Sequence, residues 1–379
     1  ERVAEQDYIL VGERYKVDKS LDTTYPVVPL SDICEINAEN KNPALAFGDD
    51  EFIYIDISSV ENGTGKIDFS NKIKGSNAPS RAKRAVKKGD ILFSTVRPNL
   101  KAYGYVERED FDCCVASTGF AVISAKNMVL SKYVYYMLYS EPVQAQLASM
   151  MGKGAYPSVN QKDVSQIQIP LPPLSVQEKV VTEIDRYQKI INGTKQITDN
   201  YLPAVSTSAS WPVVKLGMVF KLASGKGLPA KNRFDGPYNV YGGNGITGKH
   251  SEYFVDSPTL TIGRVGEYCG AAHITSSKCW ITDNALMVTE YLTEVNPEYL
   301  EAIINQIDLN QYAKVGGQPS ISQSTVYNVP IPLPNIDVQN SIASQIRYEK
   351  SIIQQNKKLA EIFVQKITDI INNVWGITK

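Results

Sequence analysis

The sequence lacks the features that would place it in a membrane or around a metal ion. Its 379 residues contain no run approaching the about 18 apolar residues of a membrane-spanning helix, so no such helix is predicted. Only two histidines occur, His250 and His273, which excludes a histidine-rich metal site. The five cysteines are odd in number and form no Cys-x-x-Cys pair, a pattern typical of reduced, mostly buried thiols in a cytoplasmic protein.

The signature motifs of common enzymes are also missing. There is no Walker A sequence, no Asn/Asp-Pro-Pro-Tyr tetrad of an adenine methyltransferase, no Gly-x-Ser-x-Gly and no His-Glu-x-x-His. Gly243-Asn-Gly245-Ile-Thr-Gly248 matches the dinucleotide-binding pattern, but no helix of useful length fits between this segment and Pro258. We therefore predict neither a dinucleotide site nor a catalytic residue in this chain.

The formal net charge of −1 argues against a generic nucleic-acid binder, which usually carries a basic excess. The charge is unevenly distributed, however. Residues 32–61 hold eight acids and one lysine, residues 66–101 hold ten basic residues and two acids, and residues 215–278 hold eight basic residues and four acids. A domain can thus present a basic face to a polyanion while the whole chain stays neutral. Solvated charged loops are the alternative interpretation.

Basic and amide side chains in and near these stretches are the candidate contacts. Asn244 lies among glycines that allow close backbone approach, and an asparagine amide can pair with adenine; a tight turn is the alternative interpretation. Glycines also surround Lys153 and precede Gln318, where they either reach a ligand or form plain turns. The first-half candidates are Arg81, Lys83, Arg84, Lys87, Arg97, Lys101 and Lys153, and the second-half candidates are Lys226, Lys231, Arg233, Asn244, Lys249, Arg264 and Gln318.

The chain contains an internal repeat. The segment from Pro157 to Gln177 recurs from Pro319 to Gln339 at a constant offset of 162, with ten of 21 positions identical. The middles of the halves match weakly, and residues 89–97 align best with residues 256–264. This alignment pairs Arg97 with Arg264. Two copies of one scaffold are predicted. The copies are similar in sequence at their ends and differ in their middles, where a ligand would bind.

Each half is predicted to mix strands with helices, which gives an α/β (α+β) fold. Short β-branched runs such as Thr259–Ile262 indicate strands, and Asn296-Pro-Glu298 indicates the start of a helix, with a cap followed by proline. An Ile-Pro-Leu-Pro connector follows each half. A long helix follows each connector, and Ser175-x-x-Glu178 predicts a capping box for the first.

The second long helix is predicted to begin near Asp337 and to continue without glycine or proline until Gly376. At about 1.5 Å per residue such a helix is roughly 55–60 Å long. Its apolar stripe requires a partner helix, so we predict that the two long helices pack as an antiparallel coiled coil. The alternative is an ordinary amphipathic helix lying on its own domain.

Together these motifs resemble a known family. Tyr241-Gly-Gly-Asn-Gly245, Thr261-Ile-Gly-Arg-Val-Gly266, Trp280-Ile-Thr-Asp-Asn-Ala285 and Gly317-Gln-Pro-Ser-Ile321, together with the two proline connectors, are similar to the specificity subunits of type I restriction-modification systems. The resemblance covers about residues 26–375, and it is weaker in the first half.

The resemblance implies a domain organisation and a mechanism. Two target recognition domains, residues 26–158 and 212–320, would each read half of a bipartite double-stranded DNA site, and they alternate with helical regions at 159–211 and 321–379. The helices would set the spacer between half-sites and dock two modification subunits. Methylation and cleavage, with S-adenosylmethionine, ATP and Mg²⁺, would belong to the modification and the restriction (motor) subunits, so this chain would hold no cofactor and catalyse nothing itself.

Two alternatives remain open. Residues 1–25 look similar to the tail of an adenine-N6 methyltransferase, so the chain is interpreted either as a subunit or as the specificity half of a fused restriction-methyltransferase. The other alternative is a coiled-coil interaction protein that does not bind DNA.

Overall fold

The protein is described by a computed structural model that covers residue 23 and residues 25–109, 113–151, 157–201, 203–314 and 317–377. The chain divides into two compact units. The first unit extends up to Thr194 and resumes at Leu359, and the second holds Lys195–Lys358. Each unit mixes strands with helices, as predicted. The predicted methyltransferase-like tail lies almost entirely outside the described residues.

Within its described residues the first unit contains ten strands and five short α-helices, followed by a long α-helix. In chain order these are β1 (Val27–Pro29), α1 (Leu30–Ile33), β2 (Cys34–Ile36), α2 (Pro43–Phe47), β3 (Glu51–Ile55), β4 (Lys72–Lys74), β5 (Ala82–Ala85), β6 (Ile91–Ser94), β7 (Tyr103–Tyr105), β8 (Cys114–Ser117), β9 (Phe120–Ala125), α3 (Ser131–Leu138), α4 (Glu141–Met150), α5 (Gln161–Ser165), β10 (Gln168–Pro170) and α6 (Leu174–Asn200).

Two four-stranded sheets and one short ribbon organise the first unit. One sheet has the order β2-β9-β6-β7 and is antiparallel, and the other has the order β4-β3-β8-β5 with β3 and β8 parallel. The ribbon pairs β1 with β10. All four residues of β6 are buried, and Phe93 stacks on Tyr103 with ring centroids 4.4 Å apart. Burying a side chain such as that of Phe93 contributes about 1.5–3 kcal/mol.

The second unit repeats this plan with different loops. Its elements are β11 (Val213–Lys215), β12 (Phe220–Ser224), β13 (Tyr238–Gly242), β14 (Gly245–His250), β15 (Leu260–Gly263), β16 (Ala272–Ile274), β17 (Trp280–Ile281), β18 (Ala285–Tyr291), α7 (Pro297–Ile307), α8 (Gln323–Tyr327), β19 (Pro330–Pro332) and α9 (Ile336–Val374), of which the last portion belongs to the first unit. The sheets have the orders β12-β18-β15-β16 and β14-β13-β17, and β11 pairs with β19.

The internal repeat is confirmed by matching hydrogen bonds. The hydroxyl of Tyr133 donates to the carbonyl of Pro170, and that of Tyr299 donates to the carbonyl of Pro332, both at 2.7 Å. These two prolines are also equivalent in β10 and β19, where they pair with Val27 and Val213 respectively. Each buried tyrosine thus fastens a helix to a proline connector, which explains why the connector sequence recurs.

A buried glutamine makes the second matching set of bonds. Gln177 accepts from the N–H of Leu130 at 2.8 Å and donates to the carbonyl of Pro172 at 2.8 Å. Gln339 accepts from the N–H of Asn296 at 2.9 Å and donates to the carbonyl of Pro334 at 2.8 Å. A buried amide that satisfies two backbone groups fixes the first turn of each long helix against its domain.

The structure tests the two predicted helix caps and identifies a third. The cap of α7 is confirmed, because the side chain of Asn296 accepts from the N–H groups of Glu298 and Tyr299 and Pro297 follows it. The predicted capping box at Ser175 is wrong. Helix α6 begins one residue earlier, at Leu174, so Ser175 already lies inside it. In α9 the cap is Asn335, whose side chain accepts from the N–H of Val338 at 3.0 Å.

The two long helices pack against one another inside the first unit. Tyr187 of α6 stacks on Phe363 of α9 with ring centroids 5.1 Å apart. Val180 and Ile184, earlier in α6, share a buried core with Ile371 and Val374, later in α9. The opposed order of these contacts confirms the antiparallel packing there. Helix α9 is 39 residues long and free of glycine and proline, as predicted.

Two further expectations concern burial and hydropathy. All five cysteines are free thiols, and four of them are buried while Cys113 is half-buried. Burial raises the pKa of the Cys34 thiol to about 12, which makes it unreactive. Within the described parts of the chain, no helix combines the length and the apolar content needed to cross a membrane.

Candidate nucleic-acid interface

One turn in each unit presents predicted contact residues on a shared backbone frame. The β6 turn (Thr95–Lys101) follows strand β6, and the β15 turn (Arg264–Gly270) follows strand β15. In the β6 turn the N–H of Arg97 donates to the carbonyl of Pro157 at 2.8 Å. In the β15 turn the N–H of Gly266 donates to the carbonyl of Pro319 at 2.9 Å. Bridges between Val96 and Ser158 and between Val265 and Ser320 complete the match.

These bonds correct the predicted alignment of the halves. The N–H groups of Thr95 and Arg264 donate to Gly119 and Asn284, respectively, at 2.9 and 2.8 Å. Arg264 is therefore the counterpart of Thr95, and Gly266 is the counterpart of Arg97. The alignment of Arg97 with Arg264 is wrong by two residues. The error arose because the strands before the turns share only an apolar pattern, which fits several registers equally well.

The first rim comprises Arg81, Thr95–Arg97, Thr118–Gly119 and Pro157–Ser158. Backbone hydrogen bonds hold this rim together. The N–H of Thr118 donates to the carbonyl of Arg81 at 2.8 Å, and the N–H of Thr95 donates to the carbonyl of Gly119. Arg81 and Arg97 are both exposed. The structure thus brings two predicted arginines, which lie 16 positions apart in the sequence, to one edge. Lys101 lies at the end of the β6 turn and is half-buried, and its carbonyl accepts from the N–H of Gly63.

Other first-half candidates lie beside the acidic segment. Lys87 forms an ion pair of 2.9 Å with Glu39, and this hydrogen bond and charge raise the pKa of Lys87. Arg84 is half-buried and its Nη1 donates to Asn40 at 3.0 Å, while desolvation lowers the pKa of its guanidinium. Lys83 is exposed on β5. Lys87 and Arg84 thus face side chains of the acidic segment, Glu39 and Asn40 respectively. Lys153 lies outside the described residues.

The second rim comprises Ser224–Lys226, Gly243–Asn244, Arg264–Gly266, Asp283–Asn284 and Gln318–Ser320. Arg264 is exposed, and its Nη1 donates to the hydroxyl of Ser224 at 3.3 Å. Gln318 is exposed, and its Nε2 lies 3.8 Å from a Cβ built on Gly266. The structure therefore brings Lys226, Asn244, Arg264 and Gln318 to one rim.

Close backbone packing explains the glycines of this rim. The segment that matched a dinucleotide motif is the β13–β14 hairpin, with Gly243 and Asn244 at its tip, and no helix follows it, as predicted. A Cβ built on Gly263 would lie 2.1 Å from the carbonyl oxygen of Gly243. Only glycine permits this contact. The hairpin tip is thereby pressed against the β15 turn, and Asn244 is left exposed.

Lys226 contacts aromatic rings, and the other second-half candidates lie on or near β14 or are exposed. The ammonium of Lys226 lies 4.3 Å from the ring centroid of Phe254, and the indole N–H of Trp280 donates to the carbonyl of Lys226. Nη1 of Arg233 donates to the carbonyl of Thr247 at 3.3 Å. Lys231 and Lys249 are exposed, and Lys249 lies on β14. Arg233 and Lys249 therefore lie at the β13–β14 hairpin.

Two polar residues of the second rim are not among the predicted contacts. Asp283 and Asn284 are exposed, and the carbonyl of Asn284 accepts from the N–H of Arg264. A carboxylate can accept from the amino group of cytosine, and an amide can pair with adenine. Both residues belong to the segment Trp280-Ile-Thr-Asp-Asn-Ala285, whose resemblance to the family was the available signal.

The duplicated scaffold, with two polar rims and an antiparallel pair of long helices, defines a two-copy recognition protein. A family model described as "Type I restriction modification DNA specificity domain" matches residues 23–200 and 209–362. Because these matches cover most of the 379 residues, the chain belongs to the type I restriction-modification DNA specificity family.

Individual relatives match over shorter stretches. The chain is 28% identical over 134 residues to the type I restriction enzyme EcoprrI specificity subunit of Escherichia coli, covering 34% of this chain and 33% of that protein. It is 29% identical over 134 residues to the HindI specificity subunit of Haemophilus influenzae, covering 35% of this chain and 26% of that one. The aligned region thus spans about a third or less of each of these two relatives.

Solved structures share the fold over nearly the whole chain. One structure, concerned with complex assembly and conformational transition of the type I R-M system, matches with a TM-score of 0.64 and 22% identity. It covers 93% of this chain and 97% of the other. The type I restriction-modification S subunit of M. genitalium matches with a TM-score of 0.54 and 13% identity, covering 93% and 96%. The two-domain fold with long helices is therefore the one found in these structures.

Proposed function

We propose that this chain is the DNA specificity subunit of a type I restriction-modification complex. Each unit would read one half of a bipartite double-stranded site through its rim. The helices α6 and α9 would set the spacer between half-sites and dock two modification subunits. In this proposal the modification and restriction subunits are the partner chains, and they bind S-adenosylmethionine, ATP and Mg²⁺. This chain contributes recognition without catalysis.

One observation carries the proposal. The β6 and β15 turns use the same backbone hydrogen bonds but carry different side chains, with Thr95 in one unit where the other has Arg264. Phosphate contacts position a protein on DNA, whereas side chains that reach base edges read sequence. Two copies of one frame with different exposed side chains therefore suit the reading of two different half-sites. Family membership supports the same function.

The first experiment asks whether the chain binds DNA through its basic side chains. Binding to duplex DNA is measured between about 50 and about 200 mM salt, with and without the modification subunit from the same genome. We expect affinity to fall steeply as salt rises, because contacts to phosphates release counterions. Absence of binding in the presence of the modification subunit would contradict the proposal and favour a coiled-coil interaction protein.

The second experiment asks whether each unit reads its own half-site. Selection from a pool of randomised duplexes should enrich two short sequences separated by a fixed spacer. Arg264→Ala should then weaken discrimination at one half-site by about 1–3 kcal/mol and leave the other unchanged. Lys221→Ala is the matched control, because Lys221 is an exposed residue of β12 that pairs with Glu290 at 2.7 Å. Loss of discrimination at both half-sites would contradict separate reading.

A further inference from the structure

Positive φ angles mark two basic residues of the β6 turn. The residues with this conformation, apart from glycines, within the described parts of the chain are Asn37, Arg97, Lys101, Lys278 and Asp308. Asparagine and aspartate tolerate it comparatively well. In addition, the side chains of Asn37 and Asp308 each accept a backbone N–H bond, at 3.0 and 3.2 Å. The other three are long basic residues, for which this left-handed conformation is unfavourable.

The second unit forms the corresponding turn with glycines. Arg97 has a φ of 49° and its counterpart Gly266 has a φ of 97°. Lys101 has a φ of 55°, and Gly270, which follows Gly266 at the same spacing, has a φ of 94°. The turn geometry agrees as well, since the N–H of Leu100 donates to Arg97 at 2.9 Å and that of Cys269 donates to Gly266 at 3.0 Å. The first unit thus places charged residues at two left-handed positions where the second unit has glycines, which adopt this conformation without strain.

The two glycine positions differ in the space around them. A Cβ built on Gly270 would lie 2.7 Å from the Cβ of Leu309, so packing alone requires glycine there. A Cβ built on Gly266 would meet only Nε2 of Gln318, at 3.8 Å, within 4 Å. Position 266 therefore has room for a side chain, and the second unit forms the turn without one. The turn itself does not require an arginine at position 97.

We propose that Arg97 is a specificity-determining residue of the first half-site and that Lys101 contacts a neighbouring phosphate. This inference rests on the proposed function. Unfavourable backbone conformations cluster at ligand-binding positions, where the surrounding structure holds them in place. Arg97 is exposed on the first rim, and its planar guanidinium suits bidentate contact with guanine O6 and N7. The ammonium of Lys101 acts as a point charge, which suits a phosphate.

The proposal also separates the two half-sites chemically. In the first unit the side chain of Thr95 bonds to the carbonyl of Gly119 at 2.8 Å, so it is turned to its own backbone. In the second unit the same position carries the exposed Arg264. The arginine therefore occupies a different place on the same turn in each unit. The two half-sites should consequently carry the arginine-read guanine at different positions within their sequences.

The decisive variant is Arg97→Gly in the full chain. Its thermal midpoint should rise by about 2 °C, because glycine relieves the left-handed strain. Its affinity for the duplex selected by the unaltered chain should fall by about fivefold to a hundredfold. Arg97→Lys keeps the charge but not the bidentate fork, so it should retain binding to random DNA and lose discrimination at one base pair. Lys101→Gly should weaken binding to all sequences and lower the salt slope by about one.

Lys278→Gly is the matched control, because Lys278 has a φ of 50° and the substitution removes one positive charge and one strained residue. It should raise the thermal midpoint similarly and leave first-half-site discrimination unchanged. A gain in stability by Arg97→Gly without loss of affinity would overturn the proposal, as would a loss of affinity together with stability. If the unaltered chain binds no DNA with its modification subunit, the proposed function itself fails.

Discussion

The two units are alike where the chain meets its proline connectors and different where their turns face solvent. At the connectors, Tyr133 and Tyr299 make the same bond, and so do Gln177 and Gln339. At the rims, the β6 turn presents strained basic residues and the β15 turn presents glycines and Arg264. Buried polar groups must keep their partners, whereas exposed positions are free to change with the ligand. The comparison therefore separates scaffold from recognition surface.

The largest expected effect tests the shared scaffold. Gln177→Ala leaves the N–H of Leu130 and the carbonyl of Pro172 without their partner, and Gln339→Ala does the same to Asn296 and Pro334. Each unpaired buried group costs about 1–3 kcal/mol, so each variant should lose about 2–6 kcal/mol of unfolding free energy. Denaturant titration measures the loss.

The control for this pair is Gln345→Ala, which removes an exposed glutamine of α9 that bonds to Glu349. Its unfolding free energy should stay within about 0.5 kcal/mol of the unaltered value. Equal losses in the two buried variants would support equivalent scaffolds. A large loss in one variant and a negligible loss in the other would show that only one copy uses the glutamine as a structural bond.

The next prediction uses a difference in the number of tyrosines whose pKa is raised by desolvation. Desolvation raises the pKa of six described tyrosines in the first unit and of three in the second: Tyr103, Tyr105, Tyr133, Tyr135, Tyr136 and Tyr139 against Tyr201, Tyr291 and Tyr299. An unfolded tyrosine ionises near its ordinary pKa of about 10, while the buried phenol stays neutral. The unfolded state then binds fewer protons, so stability falls as pH rises from about 10 toward 12.

We expect the first unit to lose stability more steeply above pH about 10 than the second. Buried Trp375 reports on the first unit, whereas Trp211 and Trp280 report on the second. Unfolding is followed by fluorescence in variants that keep one reporter set. Tyr103→Phe should flatten the decline in the first unit, because burial raises the pKa of Tyr103 to about 12. A steeper alkaline loss in the second unit would refute this ranking.

Local chemistry made much of the scaffold predictable. The Asn296-Pro297 helix start, the length of α9 and the repeated connectors follow from caps, breakers and identical residues in the sequence. The start of α6 was missed because Ser175 has the cap-box pattern but lies inside the helix. The register of the β6 and β15 turns was missed because β6 and β15 share only apolar character. Hydrogen bonds between distant segments decide that register.

The candidate contacts were predictable in kind but not in their pairing. A basic run identified Lys87, but Glu39 lies 48 positions away in the sequence and only the packing of the first unit brings it to 2.9 Å. Similarly, Arg84 meets Asn40 across a β-bridge. Asp283 and Asn284 are missing from the predicted contacts because neither side chain is positively charged, and the predictions relied mainly on basic stretches. Composition therefore identifies the basic stretches of the sequence. The fold determines which of their side chains are paired with other residues and which can contact DNA.

The smallest expected effect concerns the ion pair between Lys87 and Glu39. The side chains are 61% and 59% exposed, so water screens the pair and its loss should hardly change stability. Glu39→Gln removes the charge that partly neutralises Lys87, so affinity for duplex DNA should rise by about twofold at low salt. Glu290→Gln is the matched control in the second unit, because it breaks the similarly exposed pair with Lys221. If both variants changed affinity equally, the gain would reflect net charge alone and Lys87 would lose its assignment as a contact.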